Sequence, residues 1–336
     1  MNSTSIGIVV IGRNEGERLK RCLASLPREC PTVYVDSGSG DGSVAFAHSI
    51  GVSVVDLDTS RGFTAARARN AGWRLLLEFS RDLQFIQFID GDCEIDKDWL
   101  SRGIEAISAD TAMAAVFGRR RERFPDRSIY NRMCDEEWDV PIGRALHCGG
   151  DALFRVRALL DADGYAEDLI AGEEPDLCLR LGRGGWWVQR IDAEMTLHDA
   201  NILSFLAWWK RARRSGFAYA EHVWRHRTDA FPQWRRQVMS ILFWGLALPA
   251  GGLSLAIVVL FCNPATFFLA PTLLALAFGL QGSRIALHKV RQNLTPADAI
   301  RLAVLLLVGK FAEMRGMVDF VLSHLRLRKR ELIEYK

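Results

Sequence analysis

Two aspartates separated by one glycine, Asp90 and Asp92, follow an apolar stretch of the chain. Residues 85–89 before them are apolar except for Gln87 and have the character of a buried β-strand. A strand that ends in this way brings both carboxylates to its carboxyl end, where they can hold Mg²⁺ or Mn²⁺ against a diphosphate. The pattern therefore predicts metal-assisted phosphate chemistry.

The alternating acidic residues from Asp90 onward also suggest a calcium-binding loop as an alternative. Such a loop needs a glycine at its sixth position and a bidentate glutamate at its twelfth. The chain has Ile95 and Ser101 at those positions. Two essential positions are thus wrong for calcium.

The first ninety residues alternate between strand-like and helix-like patterns, which predicts an α/β fold with a mostly parallel sheet flanked by helices. Ligands of such sheets bind at the carboxyl ends of the strands. The first turn, residues 12–16, lacks the Gly-x-Gly-x-x-Gly spacing of a dinucleotide site, and a Walker loop is absent. Strands are expected at 6–11, 32–36, 52–57 and 83–89, and helices at 19–26 and 64–79.

Two further turns offer groups that could contact a substrate. Asp36 begins a loop of small residues and could accept hydrogen bonds from a base or a ribose, although an ordinary turn would also use an aspartate there. Gly149 and Gly150 precede Asp151, and their lack of a side chain would let a substrate approach the backbone. We place these three residues on the acceptor side.

Charge is distributed unevenly along the chain. A net charge of +3 over 336 residues is too small to indicate a nucleic-acid partner. From Gln237 to Ser283, however, no residue is charged. Because a spanning helix needs about 20 apolar residues, this stretch predicts two spans at 238–262 and 264–281 with a turn at Asn263.

These features divide the chain into a cytoplasmic domain at 1–228 and a membrane domain at 229–336. The apolar segment at 298–325 is interrupted by charged residues, so we expect an amphipathic helix on the membrane surface, with a third span as the alternative. A basic tail follows at 326–330. Basic residues flank both spans, which by the positive-inside rule places these flanks and the first domain in the cytoplasm, at the cytoplasmic membrane.

An aromatic and basic segment at 203–228 joins the two predicted domains. Tryptophans suit the headgroup level of a bilayer, and arginines suit anionic lipid or a lipid pyrophosphate. We therefore predict an interfacial helix, with Trp208, Trp209 and Arg213 facing the acceptor and membrane lipid. The alternative is a surface helix packed on the first domain by its aromatic side chains.

Four blocks of sequence, in this order, resemble the family-2 glycosyltransferases. They are residues 9–15, 35–42, 88–92 and 172–177, within a resemblance that covers about residues 5–225. The resemblance implies a GT-A fold followed by C-terminal membrane helices. It also implies inverting transfer from a nucleotide sugar and a Mg²⁺ or Mn²⁺ cofactor.

The resemblance also implies roles for particular residues. Asp90 and Asp92 would hold the metal, and His198 follows the last strand-like run, where related enzymes often supply a third ligand. A structural histidine is the alternative for His198. The residues expected to bind the nucleotide sugar are Arg13, Asn14, Glu15, Asp36, Arg67, Asn70 and Asp90.

Glu174 matches the position of the family's general base, but the family usually has an aspartate there. This departure leaves open whether Glu173 or Glu174 takes the proton. Both lie at the start of a predicted helix, where carboxylates also occur simply because they stabilise helix ends.

The expected reaction is transfer of a single sugar from a UDP- or GDP-linked donor to a lipid-linked or glycan acceptor in envelope or exopolysaccharide synthesis. The Gln-x-x-Arg-Trp element of processive synthases is absent. One alternative is a transferase that acts on a polyprenyl phosphate, which needs no strong base. Another is a catalytically silent membrane scaffold that binds a sugar nucleotide. The seven cysteines contain no Cys-x-x-Cys pair and receive no role.

Overall fold

The structure is a computed structural model and describes residues 5–58, 60, 62–228, 232–262, 268–292 and 294–325. Contacts between Cα atoms divide the chain into two units, Met1–Asn201 and Ile202–Lys336. The division lies before the helix at Phe205–Arg225, whereas the sequence predicted a boundary at 228/229. That helix packs on other helices of the second unit, which explains the earlier boundary.

The first unit alternates strands and helices as predicted. Its strands are β1 (Ile6–Gly12), β2 (Thr32–Asp36), β3 (Ser53–Asp56), β4 (Phe85–Asp90), β5 (Cys93–Ile95), β6 (Met113–Glu122), β7 (Gly143–Ala145), β8 (Ala152–Arg155) and β9 (Trp187–His198). Its helices are α1 (Glu17–Ser25), α2 (Ser43–Ser49), α3 (Ala65–Phe79), α4 (Trp99–Ser108), α5 (Ile129–Glu137), α6 (Val156–Asp161) and α7 (Glu173–Arg183), with a 3₁₀ turn at Pro125–Arg127.

Within the described residues these strands form one mixed sheet in the order β3-β2-β1-β4-β8-β6-β9-β5, with β7 paired to β9. The first four strands of that order are parallel, as the alternating sequence pattern predicts. The pairs β4–β8, β6–β8, β5–β9 and β7–β9 are antiparallel, while β6 and β9 are parallel. The sheet is therefore parallel in its N-terminal half and mixed beyond β4.

Helices cover the sheet and bury its apolar strands. Gly72 of α3 lies so close to β1 that a Cβ there would be 2.4 Å from a methyl carbon of Val9. Trp99, fully buried at the start of α4, donates its indole N–H to Gln87 Oε1 on β4 at 2.7 Å. A polar side chain inside the core is thus hydrogen-bonded, as burial requires.

Within the described residues of the second unit, all regular elements are helices. Helix α8 (Phe205–Arg225) packs along α12 (Pro296–His324), and α11 (Leu269–Arg291) packs on α12 as well. Helices α9 (Pro232–Leu242) and α10 (Leu248–Cys262) are joined by a π-helical turn at Phe243–Ala247.

Two glycines allow α8 and α12 to touch through their backbones. A Cβ at Gly216 of α8 would be 1.9 Å from the carbonyl oxygen of Glu313, and a Cβ at Gly316 of α12 would be 1.9 Å from that of Arg213. Beside this contact, Arg213 Nε lies 2.5 Å from Asp319 Oδ2. The charges that interrupt the apolar sequence of α12 are thus partly neutralised within the second unit.

Two helices of the second unit are long and apolar enough to cross a membrane. They are Trp234–Cys262, with a mean hydropathy of 2.2, and Leu269–Arg291, with 1.2; 0% and 6% of their apolar windows are buried. Both predicted spans therefore correspond to helices, and the second helix extends ten residues beyond the predicted end at 281. Exposure of apolar helices on this scale suggests membrane association. The predicted turn at Asn263 and the basic tail at 326–330 lie outside the described residues.

Candidate active site

The ends of three neighbouring strands bring the first polar residues together. In the β1–β2 pair Gly12 lies opposite Asp36, and in the β1–β4 pair Ile11 lies opposite Asp90. All three strands are parallel, so their carboxyl ends share one edge of the sheet. The predicted placement of the acidic residues at this edge is confirmed.

The loops after β1 and β2 are joined by hydrogen bonds in both directions. Asn14 donates its backbone N–H to Ser39 Oγ at 2.8 Å, and its side-chain oxygen accepts from Gly40 N at 2.8 Å. Asp41 Oδ2 accepts from Gly16 N at 2.8 Å. Asn14 has a φ of 55° and Gly16 a φ of 51°, so the first loop follows a left-handed path that these bonds hold in place.

Asp36 is almost completely buried at the start of the second loop. One carboxylate oxygen accepts from Gly38 N at 2.9 Å and Ser39 N at 2.7 Å, while the other accepts from the Tyr34 hydroxyl at 2.6 Å. The carboxylate thus shapes the loop. Its role in binding a base stays a prediction.

The other predicted nucleotide-binding residues of this edge contact neighbouring loops. The Arg13 guanidinium lies 4.2 Å from the centre of the Phe63 ring, and Glu15 pairs with Arg18 at 2.7 Å. Arg67 donates to the carbonyl oxygens of Asp58, at 3.1 Å, and of Gly62. In this structure Arg67 therefore holds the loop before α3, and its contact with a nucleotide stays a prediction.

A buried arginine that the sequence did not single out, Arg69, lies at the centre of the site. Its Nη2 donates to Asp90 Oδ1 at 3.0 Å, and its Nη1 donates to Glu173 Oε1 at 2.8 Å. The same Nη1 is 3.0 Å from Glu174 Oε1. One guanidinium thereby joins the Asp-Gly-Asp loop to the acidic start of α7.

The two candidate bases differ in exposure. Glu174 is more exposed than Glu173, with side-chain accessibilities of 15% and 6%. Burial, together with repulsion from Glu173, raises the pKa of Glu174 to about 7 in spite of Arg69. A general base is most effective when its pKa lies near the working pH. The pKa of Glu174 therefore suits a general base, and the choice between Glu173 and Glu174 stays a prediction.

The pKa of Asp90 is shifted in the opposite direction to that of Glu174. Burial alone would raise its pKa, but Arg69 on one side and Arg120 on the other hold the pKa of this carboxyl below its usual range. Arg120 Nη2 donates to Asp90 Oδ2 at 2.8 Å. Asp90 is thus an ionised carboxylate at neutral pH.

Asp92 and His198 meet on the other side of the same loop. His198 Nε2 lies 3.3 Å from Asp92 Oδ1, and its Nδ1 lies 3.5 Å from Glu122 Oε2. Burial, with Arg120 nearby, lowers the pKa of His198, so the imidazole is neutral at pH 7. A neutral imidazole beside a carboxylate is a donor set that fits a divalent metal ion. The predicted meeting of Asp92 and His198 is confirmed, and their binding of a metal stays a prediction.

Gly150 and Asp151 support the Asp-Gly-Asp turn at residues 90–92, called here the aspartate loop. They are not open to a substrate. Asp151 is buried; its Oδ1 accepts from Asp90 N at 2.9 Å, and its Oδ2 accepts from the Thr196 hydroxyl at 2.8 Å. A Cβ at Gly150 would lie 2.4 Å from Arg69 Nη2. The structure gives Asp151 a positioning role, which corrects the expected contact with the acceptor. Gly149 has more room, and its acceptor role stays a prediction.

Asn70 was expected to face the nucleotide, and the structure places it elsewhere. Its amide nitrogen donates to Tyr165 O at 2.8 Å and to Glu167 Oε1 at 3.0 Å. Its oxygen accepts from Tyr165 N and Trp73 Nε1 at 2.9 and 3.0 Å. Because an amide offers two donors and two acceptor positions, Asn70 is fully used in holding the loop before α7.

The residues predicted to face the acceptor from α8 take part in packing within the second unit. Trp208 is 4% exposed and lies beside Gly309 of α12. Arg213 forms the ion pair with Asp319 described above. The structure therefore corrects the expectation for these two side chains. Trp209 is half-buried, with its ring 5.7 Å from that of Phe205, and its role stays a prediction.

Sequence reasoning missed Arg69, Arg120 and Glu122. A signal for Arg69 was present, since it lies three residues after buried Ala66 and four before buried Trp73, on the inner face of α3. Arg120 is the middle one of three consecutive arginines on β6. Because side chains alternate along a strand, the sequence shows only that Arg120 lies on the opposite face of the sheet from the arginines on either side of it. Which carboxylate it would meet depends on residues 30 positions away.

The sequence model of "Glycosyl transferase family 2" matches residues 7–165, which contain both loops, α3 and the Asp-Gly-Asp turn. This first unit belongs to glycosyltransferase family 2. The family-2 glycosyltransferase unit accordingly has the predicted GT-A fold, a mixed sheet flanked by helices.

Known proteins similar to the glycosyltransferase include two curated relatives. The succinoglycan biosynthesis protein ExoA of Rhizobium meliloti is 22% identical over 280 residues, covering 75% of this chain and 83% of ExoA. Glycosyltransferase AglE of Haloferax volcanii is 28% identical over 132 residues, covering 36% of this chain. That alignment spans only 41% of AglE.

One solved structure shares the fold over almost the whole chain. It is the mannosyltransferase PcManGT from Pyrobaculum calidifontis, in complex with GDP-Man and Mn²⁺. It is 16% identical, has a TM-score of 0.56, and the match covers 94% of this chain and 87% of that one. The glycosyltransferase thus shares the fold of PcManGT.

Proposed function

We propose that the protein is a membrane-associated glycosyltransferase that transfers one sugar, with inversion, from a UDP- or GDP-linked donor to a lipid-linked or glycan acceptor. The observation that carries this proposal is the arrangement of Asp90, Arg69 and Glu174. Asp90, an ionised carboxylate, contacts Nη2 of the Arg69 guanidinium, and Glu174, a carboxylate whose pKa is raised to about 7, lies near Nη1 of the same group. A donor-side group and a base on the acceptor side are the two parts that a single displacement requires.

The donor side rests on Asp92 and His198, with Asp90 beside them. A bound Mg²⁺ or Mn²⁺ would neutralise the negative charge that develops on the departing nucleoside diphosphate. The role of the surrounding residues is to hold the side chains that would bind the metal in position. His198 is oriented by Glu122, whose carboxylate also accepts from Ala200 N at 2.9 Å and Asn131 Nδ2 at 3.1 Å.

The acceptor side rests on Glu174. Its carboxylate would accept the proton of the acceptor hydroxyl while that oxygen attacks the anomeric carbon from the face opposite the leaving diphosphate. At neutral pH a group with a pKa of about 7 is deprotonated in a large share of molecules and is still basic enough to take a proton. Glu173, more buried and bonded to Arg69, tunes Glu174 by repulsion.

The nature of the acceptor is inferred from the second unit and the relatives. Two exposed apolar helices favour an acceptor at a membrane. ExoA is a succinoglycan biosynthesis protein, which favours a polysaccharide or its lipid-linked precursor. A polyprenyl phosphate is the competing acceptor, because a phosphate oxygen is already ionised and needs no base.

The test is nucleoside diphosphate release by the detergent-purified full chain, measured over a panel of UDP- and GDP-sugars with Mn²⁺, with Mg²⁺ and with EDTA. We expect release from one donor, loss of release in EDTA, and loss in Asp92→Asn. Asp96→Asn, in the same acidic segment, is the matched control and should retain release. Release from no donor, even with a membrane lipid extract added, would instead favour a silent scaffold.

The same assay distinguishes the acceptors. Glu174→Gln should lower transfer to a sugar hydroxyl by about 10²–10⁴-fold, whereas transfer to a polyprenyl phosphate would survive that substitution. The anomeric configuration of the product, read by NMR, tests inversion directly.

A further inference from the structure

A polar cavity of about 400 Å³ lies beside strands β6 and β9 of the first unit. Two buried arginines line it, Arg119 of β6 and Arg190 of β9, together with the loop at 139–142. None of the residues that line it is among those assigned above to the metal, the nucleotide sugar or the base. Its volume is within the range of small-molecule sites. The cavity is therefore a separate candidate for binding a ligand.

Arg190 is buried without a close carboxylate. It is 3% exposed, and among the described residues its ion pair is with Asp139, at 3.6 Å from Nη2. That distance is beyond the roughly 2.7–3.2 Å of a hydrogen bond. Its Nη1 donates to the carbonyl oxygen of Ile191, and its buried Nε has no hydrogen-bond partner among the described residues. Burial lowers the pKa of Arg190 in spite of Asp139, and repulsion from Arg119 adds to the effect. The charge of this guanidinium is thus incompletely neutralised, which is unfavourable inside a protein.

Asp139 is the carboxylate that the two arginines share. Its Oδ1 lies 3.4 Å from Arg119 Nε and 3.6 Å from Arg190 Nη2, and its side chain is 61% exposed. Arg119 has a second carboxylate, Asp135, at 3.0 Å, so the charge that lacks a close partner belongs to Arg190. A carboxylate from a ligand could replace Asp139 and form shorter bonds, because a guanidinium presents a planar fork that fits a carboxylate.

The rim of the cavity suits a ligand that carries hydroxyl groups. Asp192 and Glu194 line it, and Glu194 also accepts two hydrogen bonds from Arg121, each of 2.7 Å. Carboxylates accept hydrogen bonds from hydroxyl groups but repel a doubly charged phosphate. Pro141 and Ile142 add an apolar surface, and Ile142 is 58% exposed. Few polar groups beside an apolar wall are typical of a small-molecule site.

We propose that this cavity binds the carboxylate of an acidic sugar, such as a uronic acid, in the acceptor glycan. The carboxylate would lie between Arg119 and Arg190 in place of Asp139, and ring hydroxyls would donate to the carboxylates of the rim. The inference rests on the proposed function, because it names the class of acceptor. Trp138, which precedes Asp139, has its ring 4.6 Å from that of His198, so one loop borders both the cavity and the active site. The acidic sugar therefore belongs to the acceptor beyond the unit that reacts.

The test is ligand-observed saturation-transfer NMR on the full chain, purified in a detergent without a sugar headgroup. Methyl glucuronide and methyl galacturonide are titrated, with methyl glucoside as the neutral sugar. We expect saturable binding of at least one uronide and no binding of the glucoside. Acetate and inorganic phosphate are added as competitors, and each should displace the uronide only at a concentration at least about tenfold higher.

Substitutions locate the binding. Asp139→Asn removes the internal competitor, so affinity for the uronide should rise by about two- to fivefold, the effect of one exposed ion pair. The control Asp126→Asn makes the same change of net charge at an aspartate that is 85% exposed and does not line the cavity, and affinity should stay unchanged. Arg190→Gln should weaken binding by at least about tenfold. If that variant does not fold, Ile142→Trp, at an exposed position, should block the cavity and abolish binding.

Ion pairs that only hold the loop at 139–142 would give a different result. Uronide binding would then be absent in the wild type, or weaker in Asp139→Asn, and either outcome would overturn the proposal. Equal binding of uronide and glucoside, or displacement by acetate at equal concentration, would also overturn it. The NMR signal does not depend on turnover. Uronide binding without nucleoside diphosphate release would retain the cavity and reject the transferase, and release without uronide binding would do the reverse.

Discussion

Arg69 donates to Glu173 and Asp90, and the nitrogen that donates to Glu173 also lies 3.0 Å from Glu174, the carboxylate with a pKa raised to about 7. The guanidinium is 3% exposed, so solvent screens these charges little. The ionisation of Glu174 is therefore linked to the charge of the aspartate loop through a single side chain.

Glu174→Gln removes the proposed base without changing the size of the side chain. We expect kcat for transfer to a hydroxyl acceptor to fall by about 10²–10⁴-fold, the usual contribution of general base catalysis. Nucleotide affinity, measured by calorimetry with the nucleoside diphosphate, should be unchanged. Glu173→Gln is the matched control; a larger loss of kcat in this variant than in Glu174→Gln would assign the base to Glu173 instead.

The stability of the protein should depend on pH through Glu174. Its pKa is raised in the folded state to about 7, so the folded state keeps a proton that the unfolded chain releases near the ordinary glutamate pKa of about 4.3. The stability this proton provides is complete below that lower value and is lost as the pH rises through about 7. Glu174→Gln avoids the loss, so its melting temperature relative to wild type should be higher near pH 8 than near pH 5. An equal difference at the two pH values would contradict the raised pKa.

Arg69→Lys keeps the positive charge but cannot bridge three carboxylates with a planar fork. Because Arg69 lowers the pKa of Glu174, a weaker contact should move the acid limb of the kcat–pH profile to higher pH. Arg69→Gln should in addition destabilise the fold by about 3–5 kcal/mol, as expected when a buried charge loses its partner. Arg74→Gln, on the same helix with a side chain 46% exposed, is the control and should leave the profile in place. An unshifted limb in Arg69→Lys would show that Arg69 does not tune the base.

Gly150→Ala should disturb the site without unfolding the domain. The added Cβ would lie 2.4 Å from Arg69 Nη2 and 3.0 Å from Asp90 Oδ2, so the ion pair must move. A shift of about 1 Å at a reacting centre can cost 10²-fold in rate, and we expect a loss of about that size in kcat/KM. At the neighbouring Gly149 a Cβ would be 4.0 Å from its nearest neighbour, Arg120, so Gly149→Ala should be close to wild type. Equal effects of the two substitutions would count against the role of the Arg69–Asp90 contact.

Gly216→Ala tests the packing of the second unit. A Cβ 1.9 Å from the carbonyl oxygen of Glu313 forces α8 and α12 apart, and we expect destabilisation of at least about 1–3 kcal/mol. The measurement is thermal unfolding of the full chain in detergent. Gly279→Ala, on α11 with no atom within 4 Å of the added Cβ, should leave the midpoint unchanged. An unchanged midpoint in Gly216→Ala would show that the close crossing is not needed.

Local sequence patterns predicted the strands and the long apolar helices, because these elements depend on the hydrophobic pattern of short stretches of sequence. The strands β1, β2 and β4 follow from short apolar runs, and their acidic ends follow from the rule that ligands lie at the carboxyl ends of parallel strands. Asp92 and His198 were expected to meet because the resemblance to the family-2 glycosyltransferases implies that they share a metal. The two long apolar helices of the second unit follow from length and lack of charge alone.

Local patterns did not predict which charges pair, because the partners lie far apart in the chain. Arg69 and Glu173 are 104 positions apart, and Arg213 and Asp319 are 106 positions apart. Asn70 was expected at the nucleotide because its neighbours fit the family pattern, but the tertiary fold uses its amide to hold the loop at Tyr165. The position of Cys93 beside His198 likewise depends on the register of β5 against β9.

The loops after β1 and β2 exchange hydrogen bonds through Asn14, Ser39, Gly40, Asp41 and Gly16. Their conformations are therefore set before any nucleotide arrives, and the entropy of ordering them is lost during folding rather than during binding. A preordered pocket of this kind gains affinity from residues that never touch the ligand. Under the proposed function, Asp41, which accepts a hydrogen bond from Gly16 of the opposite loop, would contribute to recognition by keeping that loop ordered.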